Sequence, residues 1–223
     1  VISVGDAAFG TNKITDIRLS PNMTVISAGL FTNNPGLESI VLPEGIEKIQ
    51  TSAFNGAPLK ELVIPSTVHT IGRMAFRYHE LENLTIPGNV KTIGNTAFQQ
   101  RANSPTLVNL ILEEGIESIG DNAFQNGLLQ EVYLPSSLEN LSATAFRGNV
   151  DENGQAVVVT LYTTNPDHLD FNTDASAAHH LVELIEDPEE PTDPEEPTDP
   201  EEPTDPEEPT DPEEPTDPEE PTD

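Results

Sequence analysis

The sequence predicts a mainly β fold: a right-handed solenoid with a parallel sheet on one face, followed by an acidic, proline-rich extended tail. Two observations support this prediction. The segment LVIPSTVHTIGRMAF at 62–76 returns as LTIPGNVKTIGNTAF at 84–98, which is 22 residues further on. From Asp187 the chain consists of six copies of DPEEPT and a final Asp223. A stack of similar units requires such repetition, whereas an enzyme has little use for it.

Phenylalanines mark the period of the repeat. Their spacings are 22, 23, 22, 22, 26 and 22 residues, for the series Phe9, Phe31, Phe54, Phe76, Phe98, Phe124 and Phe146. A period of about 20–29 residues is typical of a leucine-rich type of solenoid, in which no unit has a core of its own. Each unit is therefore expected to pack against its neighbours.

The first half of each unit follows the pattern L-x-x-L-x-I-P. Alternation of apolar and polar residues predicts a short strand with one face inward, and the proline ends it because proline cannot donate to the ladder. The clearest copies are Leu37, Ile40 and Leu42; Leu59, Leu62 and Ile64; Leu81, Leu84 and Ile86; Leu107, Leu110 and Leu112; and Leu129, Val132 and Leu134.

The second half, V-x-x-I-G-x-x-A-F, is expected to return the chain across the back. Val68 and Ile71 represent its inward pair, and Gly72 is expected to permit a tight turn or a positive φ. The same role is expected of Gly94 and Gly120. Small residues such as Ala75 leave room for the rings, which are expected to form one aromatic stack at the ~4.8 Å spacing of strands.

The segment LKELVIPSTVHTIGRMAF at 59–76 resembles the BspA-like class of leucine-rich repeats, found in bacterial and some protozoan cell-surface proteins. The resemblance covers roughly residues 1–162. It implies a solenoid and an extracellular, cell-surface or cell-wall-associated location. The family often places Cys three residues after the Phe, where this chain has Ala57, His79 and Gly127.

The patterns divide the chain into three segments. Residues 1–162 hold the repeats and begin inside one, so further sequence is expected upstream. Residues 163–186 are expected to cap the stack, with QAVVVTLYTTNP at 155–166 as a last full strand. HHLVELI at 179–185 is expected to be one more strand, and the alternative is the end of a short helix that begins near Asp174. Residues 187–223 form a DPEEPT linker, predicted to be disordered or in polyproline II conformation.

Charge argues against several classes of partner. The chain has a net charge of −31, and the tail holds 19 of the 40 acidic residues and none of the nine Lys and Arg residues. Nucleic acid and anionic membranes are poor partners for such a chain. No run of 18 apolar residues is present, so no membrane insertion is expected, and no signal peptide is recognised.

Residues capable of chemistry form no recognisable site. His69 and His79 occupy variable positions of the repeat, where a solvated side chain is expected. DFNTDA at 170–175 and NVDENG at 149–154 resemble calcium loops but lack the late glutamate that completes coordination, so turns are expected instead. No nucleophile-elbow, phosphate-loop or metalloprotease motif is present. The sequence therefore predicts no enzyme, no cofactor and no metal site.

The resemblance and the repeats favour a cell-surface recognition or adhesion module, monomeric, which binds a protein or other macromolecular partner through the solenoid face. The alternative is a passive stalk or assembly unit that displays a missing N-terminal domain. Alternation supplies the candidate contact residues, in two outward rows. The first row consists of Val41, Val63, Thr85, Ile111 and Tyr133. The second consists of Ser39, Glu61, Asn83, Asn109 and Glu131.

The tail at 187–223 is expected to act as a stiff spacer, because frequent proline favours polyproline II and unpaired carboxylates repel each other. At about 3.1 Å per residue the segment would reach on the order of 110 Å. Solution scattering of chains with and without the tail should show a rise in maximum dimension beyond that of a flexible coil. An unchanged maximum dimension would contradict the spacer.

Overall fold

A computed structural model describes residues 4–164 and the backbone of 180–184. Short β-strands and turns make up this part of the chain, which has no helix. The strands are β1 (Val25–Ile26), β2 (Lys48–Ile49), β3 (Thr70–Ile71), β4 (Asn83–Ile86), β5 (Thr92–Ile93), β6 (Asn109–Leu112), β7 (Ser118–Ile119), β8 (Glu131–Tyr133), β9 (Asn140–Leu141), β10 (Val159–Thr163) and β11 (His180–Leu184).

The predicted parallel solenoid is confirmed. The first halves of the repeats form a front ladder, in which β4 pairs with β6 and β8 pairs with β10, each in parallel. A parallel bridge between Ser39 and Glu61 continues this ladder towards the amino terminus. The predicted strand in HHLVELI is also confirmed, because β11 pairs with β10 in parallel. The tail lies outside the described residues, and the handedness and segment boundaries stay predictions.

A second ladder runs along the V-x-x-I halves, where the sequence predicted only a returning chain. Strands β1, β2, β3, β5, β7 and β9 form a six-stranded parallel sheet. Each strand has two residues, so the alternation that marks a strand in sequence has no room to appear. The pairing arises because every turn repeats the same backbone path, and buried amides and carbonyls then find partners in the adjacent turn.

The predicted positive φ at Gly72, Gly94 and Gly120 is wrong. None of the three glycines has one. A Cβ at Gly72 would lie 2.7 Å from the amide nitrogen of Thr51, and one at Gly94 would lie 2.7 Å from that of Arg73. These glycines therefore permit the close approach of consecutive turns. The left-handed backbone falls two residues before the phenylalanine instead, at Met74 and Thr96.

The predicted aromatic stack is confirmed over all seven rings of the series. Neighbouring centroids lie between 5.1 Å, for Phe76 and Phe98, and 5.8 Å, for Phe9 and Phe31. The ring planes deviate by 2° to 16°. Six rings are fully buried, whereas Phe9 is 36% exposed. The stack forms the axis of the core, between the two ladders and the turns that join them.

Buried polar side chains occupy the position three residues after several phenylalanines. Asn149 donates from Nδ2 to the carbonyls of Phe124 (3.1 Å) and Phe146 (2.7 Å), and its Oδ1 accepts the amide of Leu129 (3.0 Å). Asn34 makes the corresponding contacts with the carbonyls of Phe9 and Phe31 and the amide of Ile14. These side chains satisfy backbone groups between the aromatic stack and the front ladder, where water has no access.

His79 takes the same position, and its predicted solvation is wrong. The ring is buried; its Nδ1 accepts the amide of Leu81 at 3.0 Å, so Nε2 carries the proton and donates to the carbonyl of Phe98 at 3.1 Å. Burial lowers the pKa of His79 to about 4, although the Phe98 carbonyl opposes that shift. Sequence periodicity could not distinguish this position from a surface one, because its occupant changes from turn to turn.

We predict that Phe98→Ala destabilises the solenoid far more than Phe9→Ala. Phe98 is buried between Phe76 and Phe124, and such a truncation typically costs about 3–5 kcal/mol. Phe9 is partly exposed and stacks on Phe31 alone. Urea and thermal unfolding followed by circular dichroism measure both changes. Equal losses of unfolding free energy in the two variants would contradict the expectation that a buried ring of the stack contributes more than the partly exposed ring at its end.

We predict that His79 contributes a pH dependence to the stability of the fold. Its folded pKa of about 4 lies below the ordinary histidine pKa of 6.5, so the unfolded chain takes up the proton first and stability falls as pH drops from 6.5 to 4. The loss should reach about 3 kcal/mol. His79→Asn introduces the residue that occupies the equivalent buried position at Asn34, and this variant should lose the pH dependence of stability between pH 6.5 and 4. His69→Asn should retain it. Parallel pH profiles of unfolding for wild type and His79→Asn would contradict the assignment.

Candidate functional site

The apolar outward row stands on the front ladder with its side chains in solvent. Val41 and Val63 are 84% and 81% exposed, and Ile111 and Tyr133 are exposed by more than half. Thr85 in β4 pairs with Ile111 in β6, which makes the row continuous across these turns. Strands β4 and β6 alternate between exposed and buried residues along their length, so the outward direction of this row follows from the inward packing of its neighbours.

The second outward row is polar and lies beside the first. Its members Ser39, Glu61, Asn83, Asn109 and Glu131 are all exposed. Asn109 donates from Nδ2 to Oδ1 of Asn83 at 2.7 Å, and the backbones of these two residues are paired. At the amino-terminal end, Lys60 forms an ion pair of 2.8 Å with Glu38, and this hydrogen bond raises the pKa of Lys60. We call the two rows together the front face.

The front face extends further than the sequence predicted. Tyr162 in β10 pairs with Tyr133 in β8, and their rings stack with centroids 4.8 Å apart and planes 21° from parallel. The hydroxyl of Tyr162 contacts Glu131 Oε1 at 3.4 Å. The alternation in VTLYT, with Val159 and Leu161 buried, is the signal that could have placed Tyr162 on this face.

A shallow depression of about 810 Å³ lies on the front face between β6 and β8. Ile111 and Tyr133 of the apolar row line it, together with Asn109 and Glu131 of the polar row and the exposed Val108. Apolar and polar groups thus converge on one open surface. Its shape suits an extended macromolecular contact better than the enclosure of a small molecule.

In the described part of the chain, the other candidate residues form no metal-binding cluster. Over residues 4–164, no three His, Asp or Glu side chains come together as a possible metal site. The NVDENG segment forms a turn in which Asp151 Oδ1 accepts the amides of Asn153 and Gln155 at 2.9 Å each. His69 is exposed, with Nδ1 3.3 Å from the carbonyl of Asn89. DFNTDA lies outside the described residues.

The described part of the chain contains no helix with the length and hydropathy that are needed to cross a membrane.

Comparisons with known proteins agree with this architecture. The family model described as a BspA type leucine rich repeat region matches six copies, over residues 1–104 and 26–152. The fold is similar to a crystal structure of a leucine-rich repeat protein from Bacteroides ovatus ATCC 8483, with a TM-score of 0.61, 25% identity, and coverage of 77% of this chain and 45% of that one.

A second similar structure is the pneumococcal vaccine antigen PcpA, with a TM-score of 0.48 and 22% identity, covering 66% of this chain and 36% of that one. The chain therefore spans less than half the length of either solved relative. A search of curated protein sequences found no match.

The family match covers most of the chain and coincides with the repeats that form the two ladders and the aromatic stack. The chain belongs to the BspA-type leucine-rich repeat family.

Proposed function

We propose that the solenoid is a non-enzymatic recognition module of a cell surface, and that its front face binds a protein partner. The observation that supports this most directly is the exposed row of Val41, Val63, Ile111 and Tyr133. Contiguous apolar surface in water often marks an interaction site, and removing it from water is favourable by about 25 cal/mol per Å².

The arrangement of the front face fits the usual anatomy of a protein interface, in which an apolar centre has a polar rim. The apolar row ends in the stacked rings of Tyr133 and Tyr162, and tyrosine is enriched among the residues that dominate binding energy. Asn83, Asn109 and Glu131 provide donors and acceptors along one side. β-Propensity also favours branched and aromatic residues in strands, so mutation must distinguish the two explanations.

The core behind the front face favours recognition by a preformed surface. Leu84, Leu110 and Val132 alternate with the outward residues and are buried in the common core. The outward side chains therefore project from a backbone that packing and parallel pairing hold in place, and less conformational freedom is lost on binding. Outward residues can also vary without disturbing the core, which suits a family of binding modules.

An extracellular, cell-surface or cell-wall-associated location is part of the proposal. It is supported by membership of the BspA-type leucine-rich repeat family. The competing function is a passive stalk, whose repeats would add length alone and whose front face would bind nothing.

We predict that the triple variant Val63→Ser, Ile111→Thr and Tyr133→Ser loses binding to partners captured from a surface-protein library by the full chain. Three central contacts are removed, so affinity should fall at least ~10-fold, whereas unfolding should shift by no more than about 0.5 kcal/mol per exposed site. Pull-down followed by titration of each captured protein measures the effect.

The matched control carries three exposed changes on the second ladder, Lys48→Ser, Thr92→Ser and Asn140→Ser, which should leave affinity unchanged. Equal affinity of the wild type and the front-face variant for a captured partner would exclude the front face as the binding surface. Absence of any captured partner would favour the stalk.

A further inference from the structure

Two arginines meet on one tyrosine ring at the turns that follow the aromatic stack. The guanidinium carbons of Arg77 and Arg101 lie 4.1 Å and 4.4 Å from the centroid of the Tyr78 ring. Arg77 also donates from Nε to Gln99 Oε1 at 2.7 Å and from Nη2 to the Tyr78 hydroxyl. Cation–π contact and these hydrogen bonds hold the guanidinium groups in defined positions.

The backbone of Tyr78 is strained. Its φ is +70°, a value that bulky side chains rarely adopt. Two residues after the phenylalanine, other turns use residues that tolerate this conformation better, such as Asn33, Gly56, Asn126 and Gly148. Such strain persists where the surroundings enforce it, and it is concentrated at functional sites. A turn alone would need no tyrosine here.

Arg101 comes from the one enlarged repeat, in which 26 residues separate Phe98 from Phe124. The additional residues form a loop closed by an antiparallel bridge between Arg101 and Ser104. Buried Gln100 anchors it, because its Oε1 accepts the amides of Thr106 at 3.0 Å and Leu107 at 2.8 Å. The insertion thus places a second arginine beside the tyrosine of the preceding turn.

Neither arginine has a carboxylate partner within residues 4–164. The ion pairs of this part of the chain are Lys60 with Glu38 and Lys91 with Glu117. Acidic residues outnumber basic ones here, so two neighbouring guanidinium groups without a carboxylate are unusual. The hydrogen bonds of Arg77 engage Nε and Nη2, and Arg101 is exposed. Nη1 of Arg77 and the guanidinium of Arg101 therefore have no hydrogen-bond partner in this part of the chain.

We propose that Arg77, Tyr78 and Arg101 form a site for a carboxylate side chain in a short acidic segment of a protein partner. Guanidinium groups bind carboxylates through paired, charge-assisted hydrogen bonds. A short segment fits better than a long polyanion, because the rest of the solenoid is acidic and its repulsion is screened only beyond about 8–10 Å. The site is formed by the turns after the phenylalanines and is independent of the front face.

The test uses the full chain and a fluorescein-labelled peptide, Gly-Glu-Glu-Glu-Gly, with its Gln counterpart as a neutral probe. Fluorescence anisotropy at low ionic strength should show saturable binding of the acidic peptide with a Kd of about 1 mM or tighter, and none of the neutral one. Arg101→Gln should weaken this binding about 10-fold. The matched control is Arg147→Gln, since Arg147 follows Phe146 as Arg77 follows Phe76, and it should leave the Kd unchanged.

Tyr78→Asn separates a binding role from a packing role. Asparagine occupies the equivalent left-handed position at Asn33 and Asn126, so the variant should keep or raise the thermal midpoint while affinity for the acidic peptide falls. Unchanged affinity in Arg101→Gln, or equal losses in Arg101→Gln and Arg147→Gln, would overturn the proposal. So would the absence of saturable binding by wild type, or tighter binding of a heparin oligosaccharide than of the peptide.

Discussion

Register between consecutive turns is the constraint on which this structure depends. The amide of Phe54 donates to the carbonyl of Ala75 at 2.7 Å, and the amide of Phe76 donates to that of Ala97 at 2.8 Å. These bonds place each phenylalanine ring beside the ring of the next turn, so the backbone partner and the packing partner are set together. A slip of one residue would turn the apolar side chains of the front ladder outward. The stack and the two ladders are therefore mutually dependent.

The same constraint explains where the chain tolerates change. The repeat that ends at Phe124 contains additional residues, yet the rings of Phe98 and Phe124 still lie 5.6 Å apart and 2° from parallel. The extra length is accommodated outside the core, in the loop that carries Arg101, and Gln100 supplies the hydrogen bonds that the interrupted backbone needs. Variation on the outside and regularity on the inside are two results of one register. The side chains of both proposed contact surfaces lie outside the core that this register fixes.

Sequence periodicity was informative wherever one residue type recurs for one physical reason. The phenylalanine stack, the strands of the front ladder and the outward direction of Val63 and Ile111 could all be predicted, because alternation and spacing report burial directly. Periodicity was uninformative at positions whose residue changes between turns. His79 and Asn149 share a buried position and a role in satisfying backbone groups, yet no common side chain reveals it. Gly72 and Gly94 recur, but sequence does not distinguish a glycine needed for φ from one needed for close approach.

The sequence by itself determined the solenoid, its core and its outward rows, because no single unit has a core of its own and its apolar residues are buried only when the units stack. Tertiary structure alone decided which exposed side chains meet. Tyr133 and Tyr162 stack across a turn boundary, and Arg101 reaches Tyr78 from a loop that begins 23 residues later in the chain. Such contacts depend on how far each turn is displaced from the next and on where an insertion folds, and neither quantity is encoded in the spacing of the apolar residues.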